Sequence, residues 1–120
     1  MTATIAPAKL PVILLYHIDP GWTPAEKDET IRQSAELGDA LRSKGHPTTM
    51  VTVTDEDIAV PLRPFDPAKY IVFNWCEELP GIPHSEWKVA KQLESLGYTF
   101  TGADSAALLL AQDKQRVKAL

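Results

Sequence analysis

Apolar and polar positions fall into blocks along this chain, and the order of the blocks repeats. Pro11 to His17 (PVILLYH) is a continuous apolar run, the pattern of a strand buried on both faces of a parallel sheet, with Pro11 tolerable at its start. A polar loop, Ile18 to Trp22, follows. Thr23-Pro24-Ala25-Glu26 then combines three helix-start signals: a Thr N-cap, Pro at the first helical position, and Glu three residues after the cap to close a capping box. Beyond it Ile31, Ala35, Gly38 and Leu41, with Ser34 and Leu37 beside them, form a stripe of small and apolar residues at helical spacing, suited to lying close on a sheet. Gly45 ends that helix. His46 to Val53 (HPTTMVTV), rich in Thr and Val, reads as a second strand. Thr54 to Pro67, with three prolines and four acids, reads as a loop or short irregular excursion.

The same sequence of blocks then recurs over Lys69 to Gly102. Tyr70 to Trp75 (YIVFNW) is aromatic and β-branched, as for a strand buried on both faces. Its polar residues, Asn74, Cys76, Glu77 and Glu78, gather at the far end. Ser85 is placed as an N-cap, Val89, Ala90, Leu93 and Leu96 recur at helical spacing, and Gly97 supplies a left-handed C-cap. Tyr98 to Gly102 (YTFTG) makes a short fourth strand, and Asp104 or Ser105 caps a last helix through Ala106 to Ala111. The pattern predicts an α/β fold, a three-layer Rossmann-like open parallel sheet of about four strands with helices on both faces. Right-handed crossovers place strand one beside both strand two and strand three. The direction of winding reverses there, so a crevice lined by the loops Ile18 to Glu26 and Trp75 to Ser85 is where a ligand is expected.

Length and composition narrow the picture. A chain of 120 residues, 44% hydrophobic and 23% charged, is one ordinary domain with enough apolar material for a core. Met1 to Leu10 reads as a loose lead-in, residues 11–111 as the domain, and residues 112–120 as the start of a connection onward. Asp113 to Leu120 stops in mid-pattern with no capping glycine, so the chain is expected to be the front part of something longer. One cysteine permits no intrachain disulfide, and a formal charge of −4 with scattered Lys and Arg argues against a nucleic-acid surface and against anionic membranes. The longest apolar run is far short of the roughly 20 residues of a membrane span, and a signal peptide is weakly patterned. A cytoplasmic protein is expected.

Candidate chemistry sits in the two loops. The turn His17 to Trp22 has one glycine and no phosphate-cradling G-x-G-x-x-G, and no P-loop lysine motif occurs. Glu26 has two readings, the capping-box carboxylate or a carboxylate at the crevice edge that pairs with a substrate ammonium. His17, Asp19, Cys76 and Glu77 converge at the tips of strands one and three. Without C-x-x-C or H-x-x-x-H spacing, that convergence predicts neither a metal nor a thiol nucleophile. Trp22, Trp75 and Trp87 fall in or beside the loops and are read as packing or docking residues.

Four matches together resemble the N-terminal, pre-ATP-grasp domain of the D-alanine–D-alanine ligase family. They are Thr23-Pro24-Ala25-Glu26 ahead of the first helix, Val72-Phe73-Asn74 in the third strand, Leu96-Gly97-Tyr98-Thr99 with Thr101-Gly102-Ala103, and Asp113-Lys114-Gln115-Arg116-Val117-Lys118. The resemblance implies a cytoplasmic ligase of peptidoglycan biosynthesis. In it Glu26, with Asp19 and Glu77 nearby, touches the first amino acid, and Lys114 faces nucleotide phosphates. ATP and Mg2+ are expected only with an ATP-grasp domain, in the same or a separate chain, and no activity is expected of this chain alone. Small amino-acid substrates are implied, and a second copy of the chain is a further candidate partner. Two departures, Asp19-Pro20-Gly21-Trp22 in place of a glycine pair and Glu77-Glu78 in place of His-Gly, fall in the substrate loops. They point to a divergent member. The alternative is a stand-alone flavodoxin-like or receiver-like interaction module, which would want acids clustered after strand one and an aspartate ending strand three.

Overall fold

The computed structural model describes residues 10–76 and 78–101. The expected final helix, the stretch 112–120, Glu77 and Lys114 therefore lie outside the described residues. Four parallel strands form one sheet in the order β2-β1-β3-β4. They are β1 (Val12–His17), β2 (Thr48–Val53), β3 (Ile71–Asn74) and β4 (Thr99–Phe100), with α1 (Pro24–Ser43), a short α2 (Ala59–Leu62) and α3 (Glu86–Leu96) between them. Every pairing is parallel, with Val12 opposite both Thr48 and Ile71 and Ile71 opposite Thr99. This is a Rossmann-like sheet whose winding reverses between strands one and three, as the repeated blocks predict.

The apolar run of β1 earns its central place, with all six residues buried. Alternate side chains take opposite faces. Ile13 and Leu15, fully buried, join Val51, Val53 and Val72 against Ile58 and Leu62 of the α2 segment and Val89 and Leu93 of α3. Val12, Leu14 and Tyr16 take the other face, where α1 lies over β1 and β2. β3 is less enclosed than its composition implies: only Val72 is buried, while Phe73 is half-buried and Trp75 is 43% exposed. Helix α1 contacts β1 and β2 and leaves that side of β3 partly open.

The start of α1 is built as its sequence predicts. Thr23 Oγ1 accepts from the Glu26 N–H and a Glu26 carboxylate oxygen accepts from the Thr23 N–H, closing the capping box. Its contact line follows the expected stripe only in part. Ser34 and Gly38 are buried, whereas Ala35 is exposed and Ile31 is 49% exposed. A side-chain carbon on Gly38 would come within 2.9 Å of Met50 Sδ, so the helix settles on its two smallest neighbours one turn apart. Ser34 is wholly buried and its Oγ has no hydrogen-bond partner among the described residues. An unmade hydroxyl bond in the core costs about 1 kcal/mol or more, and Ala is the better helix former. Ser34→Ala is therefore expected to stabilise the chain by about 1 kcal/mol, read as a rise in Tm, and a fall in Tm would show that the hydroxyl has a use.

Two polar side chains lock the α2 excursion onto the rest. Gln92 of α3 accepts from the Ile58 N–H at 3.0 Å and donates to the Glu56 carbonyl at 2.8 Å. The buried Tyr98 hydroxyl, after the left-handed Gly97 cap (φ 84°), donates toward the Leu62 and Phe65 carbonyls. A stretch that looks irregular in sequence is thus held at both ends by residues more than 30 positions away.

Candidate functional site

The parallel sheet brings the carboxyl ends of β1 and β3 to one edge, and the loops that follow them meet there. Trp75 N–H still bonds Leu15 O at 2.8 Å, so β3 keeps its pairing up to the loop. Asp19 then joins the two loops directly. Its Oδ1 accepts from the Gly21 N–H at 2.8 Å, and its Oδ2 accepts from the Gly81 N–H at 2.9 Å, 62 residues away in sequence. These two amide donors, Gly21 first and Gly81 second, hold the Asp19 carboxyl below the ordinary carboxylate range, with lesser help from His17 and Lys27.

The sign of the pH effect follows. A folded-state pKa below the unfolded one gives stability that is present above about pH 4 and is lost as pH falls through the lower, folded value. Asp19→Asn keeps one acceptor oxygen and loses the charge and the second acceptor. The Tm gap between wild type and Asp19→Asn is expected to be widest at neutral pH and to close as the buffer is taken below about pH 4. A gap independent of pH would show that the charge plays no part.

The same pair of bonds answers whether the turn could cradle a phosphate. The Gly21 N–H, the donor such a turn would offer, is already spent on Asp19. The described residues thus do not fit a nucleotide phosphate at this turn.

The β3–α3 loop is braced from within by Ser85. Ser85 stands at the N-cap position of α3 as its sequence predicts, but its side chain makes no capping bond. Its buried Oγ instead accepts from the Leu79 N–H at 2.7 Å and donates to the Ile82 carbonyl at 2.6 Å, while its own carbonyl accepts from Lys88 and Val89. Cys76 is buried at the head of this loop, its N–H donating to Asn74 Oδ1 and its thiol directed at the Glu78 carbonyl, 3.3 Å away. It behaves as a small core residue with a polar edge.

Two adjoining spaces open beside these loops. The outer one is a groove of about 400 Å3 lined by Trp22, Ala25, Glu26, Glu29 and Thr30. Glu26 is exposed there, one carboxylate oxygen bonded to the Thr23 N–H at 3.0 Å, so its capping function and its place on the groove wall coexist. Glu29 is engaged by Arg32 and Gln33. The inner space is a cavity of about 80 Å3 between the strand tips and α1, lined by Tyr16, His17, Trp22, Thr30, Gln33 and Trp75. Trp22 packs edge-on against His17, with centroids 5.1 Å apart.

Of the residues singled out from sequence, the structure brings Asp19 and Glu26 to this edge, with Trp22 and Trp75. Trp87 lies elsewhere, beside Asp57 and Ala59 on the α3 side, with Lys88 Nζ 5.6 Å from its ring centre. Tyr16, Thr30 and Gln33 were not singled out. Their only sequence signal is weak: Thr30 and Gln33 are polar residues three apart on α1.

Among the described residues no helix is long and apolar enough to cross a membrane. Compared with known proteins, no family model matches the chain and no solved structure matches it. Two curated relatives do. The chain is 31% identical over 98 residues to the D-alanine–D-alanine ligase of Sphingopyxis alaskensis and 30% identical over 98 residues to that of Rhizorhabdus wittichii. Each alignment takes in 82% of this chain, which spans about 30% of the length of the relatives it matches. This likeness bears out the resemblance to the N-terminal domain of those ligases.

Proposed function

We propose that this chain is the substrate-binding domain of an ATP-dependent carboxylate–amine ligase and works with an ATP-grasp domain. The observation that carries the reading is the edge where β1 and β3 end together. Asp19 fixes the two loops to each other, and the Glu26 carboxylate is held on the groove wall by its own helix cap. The likeness to two D-alanine–D-alanine ligases supplies the reaction class. In that class ATP phosphorylates a carboxylate, an amine attacks the acyl phosphate, and Mg2+ neutralises phosphate charge. ATP and Mg2+ belong with the ATP-grasp portion, toward which Lys114 would face.

The part left to this chain is binding and orientation. Glu26 takes the ammonium of a small amino acid, Asp19 acts as a positioning residue behind the loops, and Glu77, next after Cys76 in sequence, is a further candidate for substrate contact. The test joins the chain to an ATP-grasp region and follows ADP release over a panel of amino acids. A Gln at the third helical position still closes a capping box, so Glu26→Gln removes the charge and spares the helix. A charged hydrogen bond is worth about 1.5–3 kcal/mol, so kcat/KM should fall roughly 10- to 100-fold with Tm nearly unchanged. Equal rates for Glu26→Gln and wild type would remove Glu26 from substrate binding, and no ADP release with any amino acid would end the ligase reading.

A further inference from the structure

Glu26 lines only the outer groove, and the inner cavity has a different chemistry. Among the described residues no carboxylate lines it, while the side chains around it carry unspent donors. The Thr30 hydroxyl and the indole N–H groups of Trp22 and Trp75 have no acceptor among the described residues. The Tyr16 and Thr52 hydroxyls share one bond of 2.7 Å, which uses one of their two protons, and Tyr16 is only 9% exposed. The Gln33 amide gives one N–H to Glu29 and keeps the other. Trp22 and Thr30 line both spaces, so the cavity adjoins the groove that holds Glu26.

We propose that this cavity receives the side chain of the amino acid whose ammonium Glu26 holds, and that it selects a short side chain ending in a carbonyl-type acceptor, as in asparagine or aspartate, over the methyl of alanine. The inference rests on the proposed function and deepens it. Its volume of about 80 Å3 is between two and three times the roughly 30 Å3 that a water occupies in the liquid, room for a side chain of three or four heavy atoms. A methyl group would dry these donors without pairing them, whereas an amide or carboxylate oxygen accepts from two or more at once. Sites lined by polar groups reject an analogue that leaves those groups unpaired. The reacting carboxylate, with the ammonium on Glu26 and the side chain inward, stays on the open side of the groove.

The experiment titrates the 15N-labelled 120-residue chain with D-asparagine, D-aspartate and D-alanine, following the indole N–H signals assigned with Trp22→Phe and Trp75→Phe. D-Asparagine or D-aspartate should shift the Trp22 and Trp75 signals with a Kd at least about tenfold below that of D-alanine, and Thr30→Val should weaken that binding about fivefold. The asparagine-to-aspartate ratio tells whether the cavity accepts charge. The proposal is overturned if neither signal moves at tens of millimolar ligand, or if D-alanine binds as tightly on the wild-type chain. Glu26-dependent ADP release indifferent to the side chain would sink the pocket and leave the ligase reading standing. Indole shifts without any ADP release would do the reverse.

Discussion

Leu15→Ala is expected to lower stability by about 3 kcal/mol and Tm by roughly 10–20 °C. Leu15 is fully buried in the middle of the central strand, in one cluster with Ile13, Val53, Val72 and Leu93. Truncating its isobutyl group to a methyl forfeits both the transfer free energy of the lost carbons and the contacts that its neighbours made with them. β1 is paired on both sides, to β2 and to β3, so the strand cannot shift to fill the hole. Against a total stability of about 5–15 kcal/mol for a domain, the loss is large enough to leave a measurable unfolded fraction at 37 °C. Leu10→Ala, at a side chain 44% exposed, is the control and should stay within about 0.5 kcal/mol. Chemical denaturation of the two variants decides the matter. Equal midpoints would mean that the apolar cluster on this face of the sheet is not the core.

The second large effect is at Ser85. Ser85→Ala removes the acceptor of the buried Leu79 N–H and the donor to the Ile82 carbonyl, and leaves the first of these without a partner inside the protein. A buried group stranded in this way costs about 1–3 kcal/mol, so a loss near 2 kcal/mol is expected. A second variant separates this brace from ordinary capping. Asp is as good an N-cap as Ser, so Ser85→Asp would be harmless if the residue capped α3. Because the side chain is 1% exposed and one of its partners is a carbonyl oxygen, Ser85→Asp should instead be worse than Ser85→Ala. Thermal melts in which Ser85→Asp matches wild type would restore the capping role.

Ser85 also shows where sequence reasoning stops. A serine ahead of an amphipathic run satisfies the capping pattern whether its hydroxyl turns forward to the helix or back into the loop. Only the closure of the Leu79–Ile82 turn decides which way it turns. Thr23 was legible because its partner Glu26 is three residues away and both halves of the capping box are local. The strands and their order were legible for a related reason: an apolar run and a right-handed crossover are general constraints on any βαβ unit. The contact line of α1 was legible only in part. Gly38 is buried where the stripe places it, against Met50, but Ile31 and Ala35 of the same stripe are exposed and Ser34 beside it takes the buried place one turn before Gly38. The openness of β3 beside α1 was likewise hidden, since an aromatic run reads the same whether one face or two are covered. Glu26 was found through its cap, whereas Tyr16, Thr30 and Gln33 belong to elements that meet only after the sheet has formed.

The double bond of Asp19 has a mechanical consequence. Gly21 and Gly81 are fastened to the two oxygens of one side chain, so a displacement of the β3–α3 loop pulls on the turn that launches α1. The two loops of the crevice rim are therefore tied together as one unit rather than two. An insertion in either loop would be felt by both, which makes the length of each a constraint on the other.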